Sequence, residues 1–130
     1  MSFCTAVNCM DGRVQLPVIR FLMDRYSVRY VDSVTEPGPN RILTDGTDTR
    51  GVRSILRRVD ISVKHHGSRT IAVVGHADCT GNPSDDQTQA AQTLRAAEML
   101  RRAYPDLTVV ALWVGADWQV SLVPEERREA

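Results

Sequence analysis

Cys9, His76 and Cys79 carry donor atoms suited to a metal ion, and the last two stand only three positions apart. Two thiolates and one imidazole suit Zn²⁺. Three protein ligands leave the fourth tetrahedral position to water, which is the composition of a catalytic rather than a structural site. With three cysteines in all, no fourth thiol is available to close the shell. Taken singly, Cys9 and Cys79 would read as small buried hydrophobes and His76 as a loop histidine. Cys4 is of that plain kind: it lies five residues before Cys9 in one extended run, points to the opposite face and is expected to pack in the core. Asp11 and Arg13 follow Cys9 at alternate positions. In an extended or turning segment this spacing sets a carboxylate beside a guanidinium fork, which orients it and keeps it ionised. An Asp so fixed can accept a hydrogen bond from a metal-bound water, or can take the open position itself; the plainer reading is a surface ion pair. A thiol nucleophile at Cys9 with Arg13 as phosphate binder is the weaker alternative, since it leaves His76 and Cys79 unused.

These residues require elements that bring them together. Phe3 to Asn8 is an apolar, β-branched run that reads as a first strand ending at Cys9. A helix follows, with Pro17 expected in its first turn and Val18, Ile19, Leu22, Met23 and Tyr26 as its apolar stripe. A second strand is expected over Val28 to Val34, stopped by Glu36-Pro37-Gly38-Pro39-Asn40, and a long polar loop after it. Thr47 or Asp48 caps a second helix carrying Val52, Ile55, Leu56, Val59 and Val63 and ending near Gly67, with His65 and His66 as surface groups near its C-terminal dipole. Thr70 to Val74 is the third strand, so His76 and Cys79 fall just beyond it. Ser84 and Gln87 suggest a capping box for a third helix with Ala90, Leu94, Ala97 and Leu100 on one side, stopped by Pro105. Leu107 to Val114 is a fourth strand, and Trp118 to Val123 a short antiparallel fifth.

The fold class is therefore α/β: an open, mostly parallel sheet of order 2-1-3-4 with an antiparallel edge strand 5 and helices on both faces. Its first and third strands are neighbours at the point where the winding reverses, and ligands bind at the carboxyl ends of such strands. Cys9, His76 and Cys79 arrive there together.

The chain has 130 residues, with 16 Lys and Arg against 16 Asp and Glu, the size and balance of one soluble domain. We expect it over residues 1–124, with residues 125–130 a charged tail. A formal charge of zero supplies no basic field for nucleic acid or for anionic lipid. The opening residues do not have the pattern of a signal peptide, and no apolar run approaches a membrane span, so a cytoplasmic location is expected. An odd cysteine count there argues against a disulfide framework.

The segment Cys9-Met10-Asp11-Gly12-Arg13 resembles the Cys-x-Asp-x-Arg motif of the β-class carbonic anhydrases, and Gly75-His76-Ala77-Asp78-Cys79 resembles their His-x-x-Cys motif. The resemblance implies that Cys9, His76 and Cys79 are zinc ligands and that Asp11 and Arg13 form the catalytic dyad of reversible CO2 hydration to bicarbonate. In that family zinc lowers the pKa of its water from about 15.7 toward roughly 7, giving a hydroxide near neutral pH. It also implies a homodimer or higher homo-oligomer. The sequence departs from the family in Gly12, where Ser is usual, in Thr80, where Gly is common, and in Thr35-Glu36-Pro37-Gly38, where an Arg-Asn-Ala-Gly-like segment is usual. The chain also starts directly on its first strand, where members usually carry a helical arm. Two further readings keep the zinc site: hydrolysis of carbonyl sulfide or carbon disulfide by the same attack, and a zinc-binding module without activity.

Overall fold

The structure, a computed structural model, describes residues 2–124. The expected charged tail, residues 125–130, lies outside the described residues. The strands are β1 (Phe3–Cys9), β2 (Tyr30–Glu36), β3 (Thr70–His76), β4 (Thr108–Val114) and β5 (Val120–Leu122), and the helices α1 (Gly12–Tyr26), α2 (Pro39–Asp45), α3 (Thr49–His66) and α4 (Asp86–Ala103). They form one sheet in the order β2-β1-β3-β4-β5, parallel except for the antiparallel β5, as the alternation of strand and helix patterns predicts.

Reversal of the winding at β1/β3 divides the helices unequally. Val14, Val18 and Leu22 of α1 pack on Cys4, Ala6, Ala72, Val74, Leu112 and Val114 of one sheet face. On the other face Leu43 of α2, Ile55 and Val59 of α3, and Ala96, Ala97 and Leu100 of α4 cover Val7, Val34, Ile71 and Val73. Cys4 is fully buried beneath α1, in the core position expected.

Several local expectations are corrected. Helix α1 begins five residues before Pro17, because the Asp11 side chain accepts the Arg13 N–H and caps it there; Pro17 sits inside the helix. At that position the ring removes only the bond to the Arg13 carbonyl. The segment read as a long polar loop contains α2: Pro39 occupies its first turn, Gly46 closes it in the left-handed region, and Asn40 and Leu43 are buried. Glycine and proline there start and stop a helix rather than exclude one. Helix α4 is capped not by Ser84 but by Asp85, which accepts the Thr88 N–H; the Ser84 hydroxyl donates to Asn82 instead. Strand β2 runs two residues later than expected, and Trp118 belongs to the turn before β5. His66 does more than lie near the α3 terminus: its Nδ1 is 2.6 Å from Asp32 Oδ2 and its ring stacks on Phe3.

Candidate metal centre

Cys9 is the last residue of β1 and His76 the last of β3, and β1 and β3 are hydrogen-bonded neighbours. Cys79 returns to them from the loop after β3. The ligand atoms of the three residues all lie within 4.8 Å of one another, and all three side chains are buried. The Cys9 and Cys79 sulfurs are 3.8 Å apart. Two sulfurs on one tetrahedral zinc, each about 2.3 Å from it, would be separated by about 3.8 Å.

His76 supplies an independent test of fit. Its Nδ1 is 2.7 Å from the Ala77 carbonyl, an acceptor, so Nδ1 carries the proton and Nε2 presents a lone pair. That Nε2 is buried and has no hydrogen-bond partner. A buried polar atom left in that state is costly unless something fills its lone pair, and a metal ion does so.

The local field separates the two thiols. Burial raises the Cys9 pKa, but the His76 imidazole beside it and hydrogen bonds from the Gly38 and Asp11 backbones outweigh it and bring the thiol down to about 7. Cys79 is pushed up to about 11 by burial and by the neighbouring Cys9. Burial opposes protonation of His76, yet its contacts with Cys9 and Ala77 raise its pKa.

Asp11 and Arg13 meet as their spacing suggested, on the first turn of α1 instead of an extended segment. Arg13 Nε donates to Asp11 Oδ1 at 3.0 Å and Nη2 to Oδ2 at 2.6 Å. Hydrogen bonds from Arg13 hold the Asp11 carboxyl down at about 2 and raise the Arg13 pKa in turn. Asp11 is not part of the three-residue ligand cluster. The segment between Cys9 and Asp11 is held by Gln15, whose Nε2 donates to both backbone carbonyls.

Four participants were not evident from sequence. Asp78 takes Arg13 Nη1 on its carboxylate and Nη2 on its carbonyl, both at 3.3 Å, and the Trp118 ring lies 4.7 Å from the guanidinium carbon. Asn40, inside the expected loop, donates both amide protons, to the Val74 carbonyl and to Thr93 Oγ1, while its buried Oδ1 has no partner. Gln89 reaches the loop after β3 by donating to the Asn82 carbonyl. A cavity of about 10 Å³ lies among Cys9, His76, Cys79, Asn40, Asn82 and Gln89. The Gly81-Asn82-Pro83 segment thus contributes to the rim: a Cβ on Gly81 would stand 2.6 Å from the Pro37 carbonyl carbon, so the loops after β2 and β3 cross in backbone contact.

Among solved structures the chain is similar to a tetrameric β-carbonic anhydrase of Sordaria macrospora, at 11% identity and a TM-score of 0.64, covering 95% of this chain and 81% of that one. It is similar also to carbonic anhydrases of Streptococcus mutans (17% identity, TM-score 0.60) and Glaciozyma antarctica (12%, 0.61), each match covering 92% of this chain and 81% of the other. At these identities the likeness is one of fold. No curated protein is similar enough to match. The family model described as "Putative carbonic anhydrase" matches residues 1–124, nearly the whole chain, and by that match this protein belongs to that carbonic anhydrase family.

Proposed function

We propose that the chain is a zinc enzyme that hydrates CO2 reversibly to bicarbonate. The observation that carries this reading is the buried, unpartnered Nε2 of His76 beside two thiols, at the same carboxyl end of the sheet as an ionised Asp11 held by Arg13. Cys9, His76 and Cys79 would hold the metal. Zinc bound there supplies Lewis acidity and a water whose pKa falls to roughly 7. The protein's own part is orientation. Arg13 occupies both oxygens of the Asp11 carboxylate and draws it to the α1 N-terminus, and Asp11 outside the ligand cluster leaves a coordination position for the nucleophile. Ionised at any pH well above about 2, Asp11 would accept a hydrogen bond from a water in that position and orient it toward the carbon of a small linear substrate.

The similarity to an enzyme described as tetrameric supports assembly of this chain as a homodimer or larger, which sedimentation equilibrium measures directly. A second reading, a zinc-holding protein without turnover, draws support from the cavity beside the ligands, which at about 10 Å³ is only large enough for one water.

Stopped-flow CO2 hydration on the zinc-loaded protein separates the two. We expect acceleration over buffer, and a fall in kcat of about 10²-fold or more in Asp11→Ala with zinc retained. Carbonyl sulfide and carbon disulfide, which offer the same electrophilic carbon, are run beside CO2. A fully loaded protein that accelerates none of the three favours the binding module.

A further inference from the structure

Arg13 is held from three directions. Asp11 takes Nε and Nη2 of the fork; Asp78 takes Nη1 on its carboxylate and Nη2 on its carbonyl; the Trp118 ring covers the guanidinium with its centroid 4.7 Å from the central carbon. The last two partners share an unusual backbone. Among the described residues, the non-glycine residues with positive φ are Ser27, Asp78 and Trp118. Ser27 ends α1, where that conformation is ordinary. Asp78, at 57°, and Trp118, at 62°, both touch Arg13.

A left-handed conformation is uncommon for a non-glycine residue and least expected for a bulky one, and it persists only where surrounding bonds over-determine it. The turn between β4 and β5 does so for Trp118. Its N–H donates to the Gly115 carbonyl, Gly115 N–H donates to the Gln119 carbonyl, and Asp117 Oδ1 accepts the Gln119 N–H. These bonds present the indole to the start of α1, far along the chain from the residues that hold Arg13 in the plane of its fork.

We propose that Trp118 is a positioning residue for Arg13, and through it for Asp11. Two aspartates fix the guanidinium in its plane, and Trp118 restrains its face, so the Asp11 carboxylate stays with Arg13 and off the metal ligands. The proposal rests on the carbonic anhydrase reading for its effect on turnover, but not for its effect on Arg13.

The test uses the full, zinc-loaded chain as wild type, Trp118→Leu and Trp118→Phe. In wild type, NMR should show Arg13 side-chain protons shifted upfield by the indole and a slowly exchanging Nε–H. In Trp118→Leu, exchange of that Nε–H quickens and kcat falls, each about two- to fivefold, with KM and zinc content nearly unchanged. Trp118→Phe, which keeps an aromatic face, recovers most of both losses. Absence of the upfield shift in wild type overturns the proposal even if Trp118→Leu fails to fold. So does a Trp118→Leu protein whose Arg13 exchange and kcat match wild type. If wild type shows no CO2 hydration, the functional reading fails separately, and the Arg13 resonances alone decide the role of Trp118.

Discussion

The two nitrogens of His76 have different surroundings: Nδ1 meets the Ala77 carbonyl, and Nε2 faces the two cysteines without a partner. The two thiols differ as sharply, Cys9 brought down to about 7 and Cys79 pushed up to about 11. Metal ligands must shed their protons to bind. At neutral pH the metal-free protein therefore still holds the Cys79 proton, which zinc bound there would displace. Zinc affinity should accordingly rise about tenfold per pH unit for each proton released, and keep rising toward pH 9, because neutral pH lies far below the Cys79 value. Competition with a chromophoric chelator across pH 6 to 9 measures this; an affinity flat in pH would contradict the Cys79 assignment. Cys4 belongs to another environment. It is fully buried under α1 and its thiol is pushed up to about 11, chiefly by burial. Cys4→Ser places a hydroxyl among apolar groups and should cost about 1–3 kcal/mol in urea unfolding, with zinc stoichiometry unchanged.

At the scale of elements, α1 has two duties. Among the described residues its inner face covers one side of the sheet without another helix beside it, and its N-cap and first turn carry Asp11 and Arg13. Leu22→Ala, at a fully buried position late in that helix, should cost about 2–5 kcal/mol on chemical denaturation. The crossing of the loops after β2 and β3 is a separate constraint. Gly81→Ala would drive a methyl into the Pro37 backbone and should cost about 1–3 kcal/mol while also weakening zinc binding, since Cys79 lies in the same loop. Much of this arrangement was legible in the sequence. Strand order, the arrival of Cys9 and His76 at the carboxyl ends of neighbouring strands, and the Asp11–Arg13 pair follow from local patterns and spacing, although β3 runs two residues past the expected Val74 and takes in His76 itself. Helix α2 did not, because Gly38 and Pro39 punctuate a loop and a helix start with the same letters. The surroundings of Arg13 were illegible for another reason. Asp78 lies 65 positions away and Trp118 reaches it only through a left-handed turn, and no periodicity encodes either contact.

For the whole molecule, a metal held by the ends of two central strands and the loop after the second would tie distant parts of one core together. Anything that binds the native state but not the unfolded chain stabilises it by mass action. At free zinc about a thousandfold above Kd the unfolding free energy should rise by about 4 kcal/mol, and a chelator should remove that gain; calorimetry with and without zinc reads the difference. The formal charge of zero supplies no net field over the surface to attract a polyanion. Among the described residues no helix is long and apolar enough to cross a membrane. All of this depends on how the three ligands hold the metal, which zinc K-edge X-ray absorption on the loaded protein measures directly. We predict one zinc per chain with two sulfurs at about 2.3 Å, one imidazole nitrogen at about 2.0–2.1 Å and one further oxygen ligand. A shell with fewer than two sulfurs, or with no imidazole, would contradict the account.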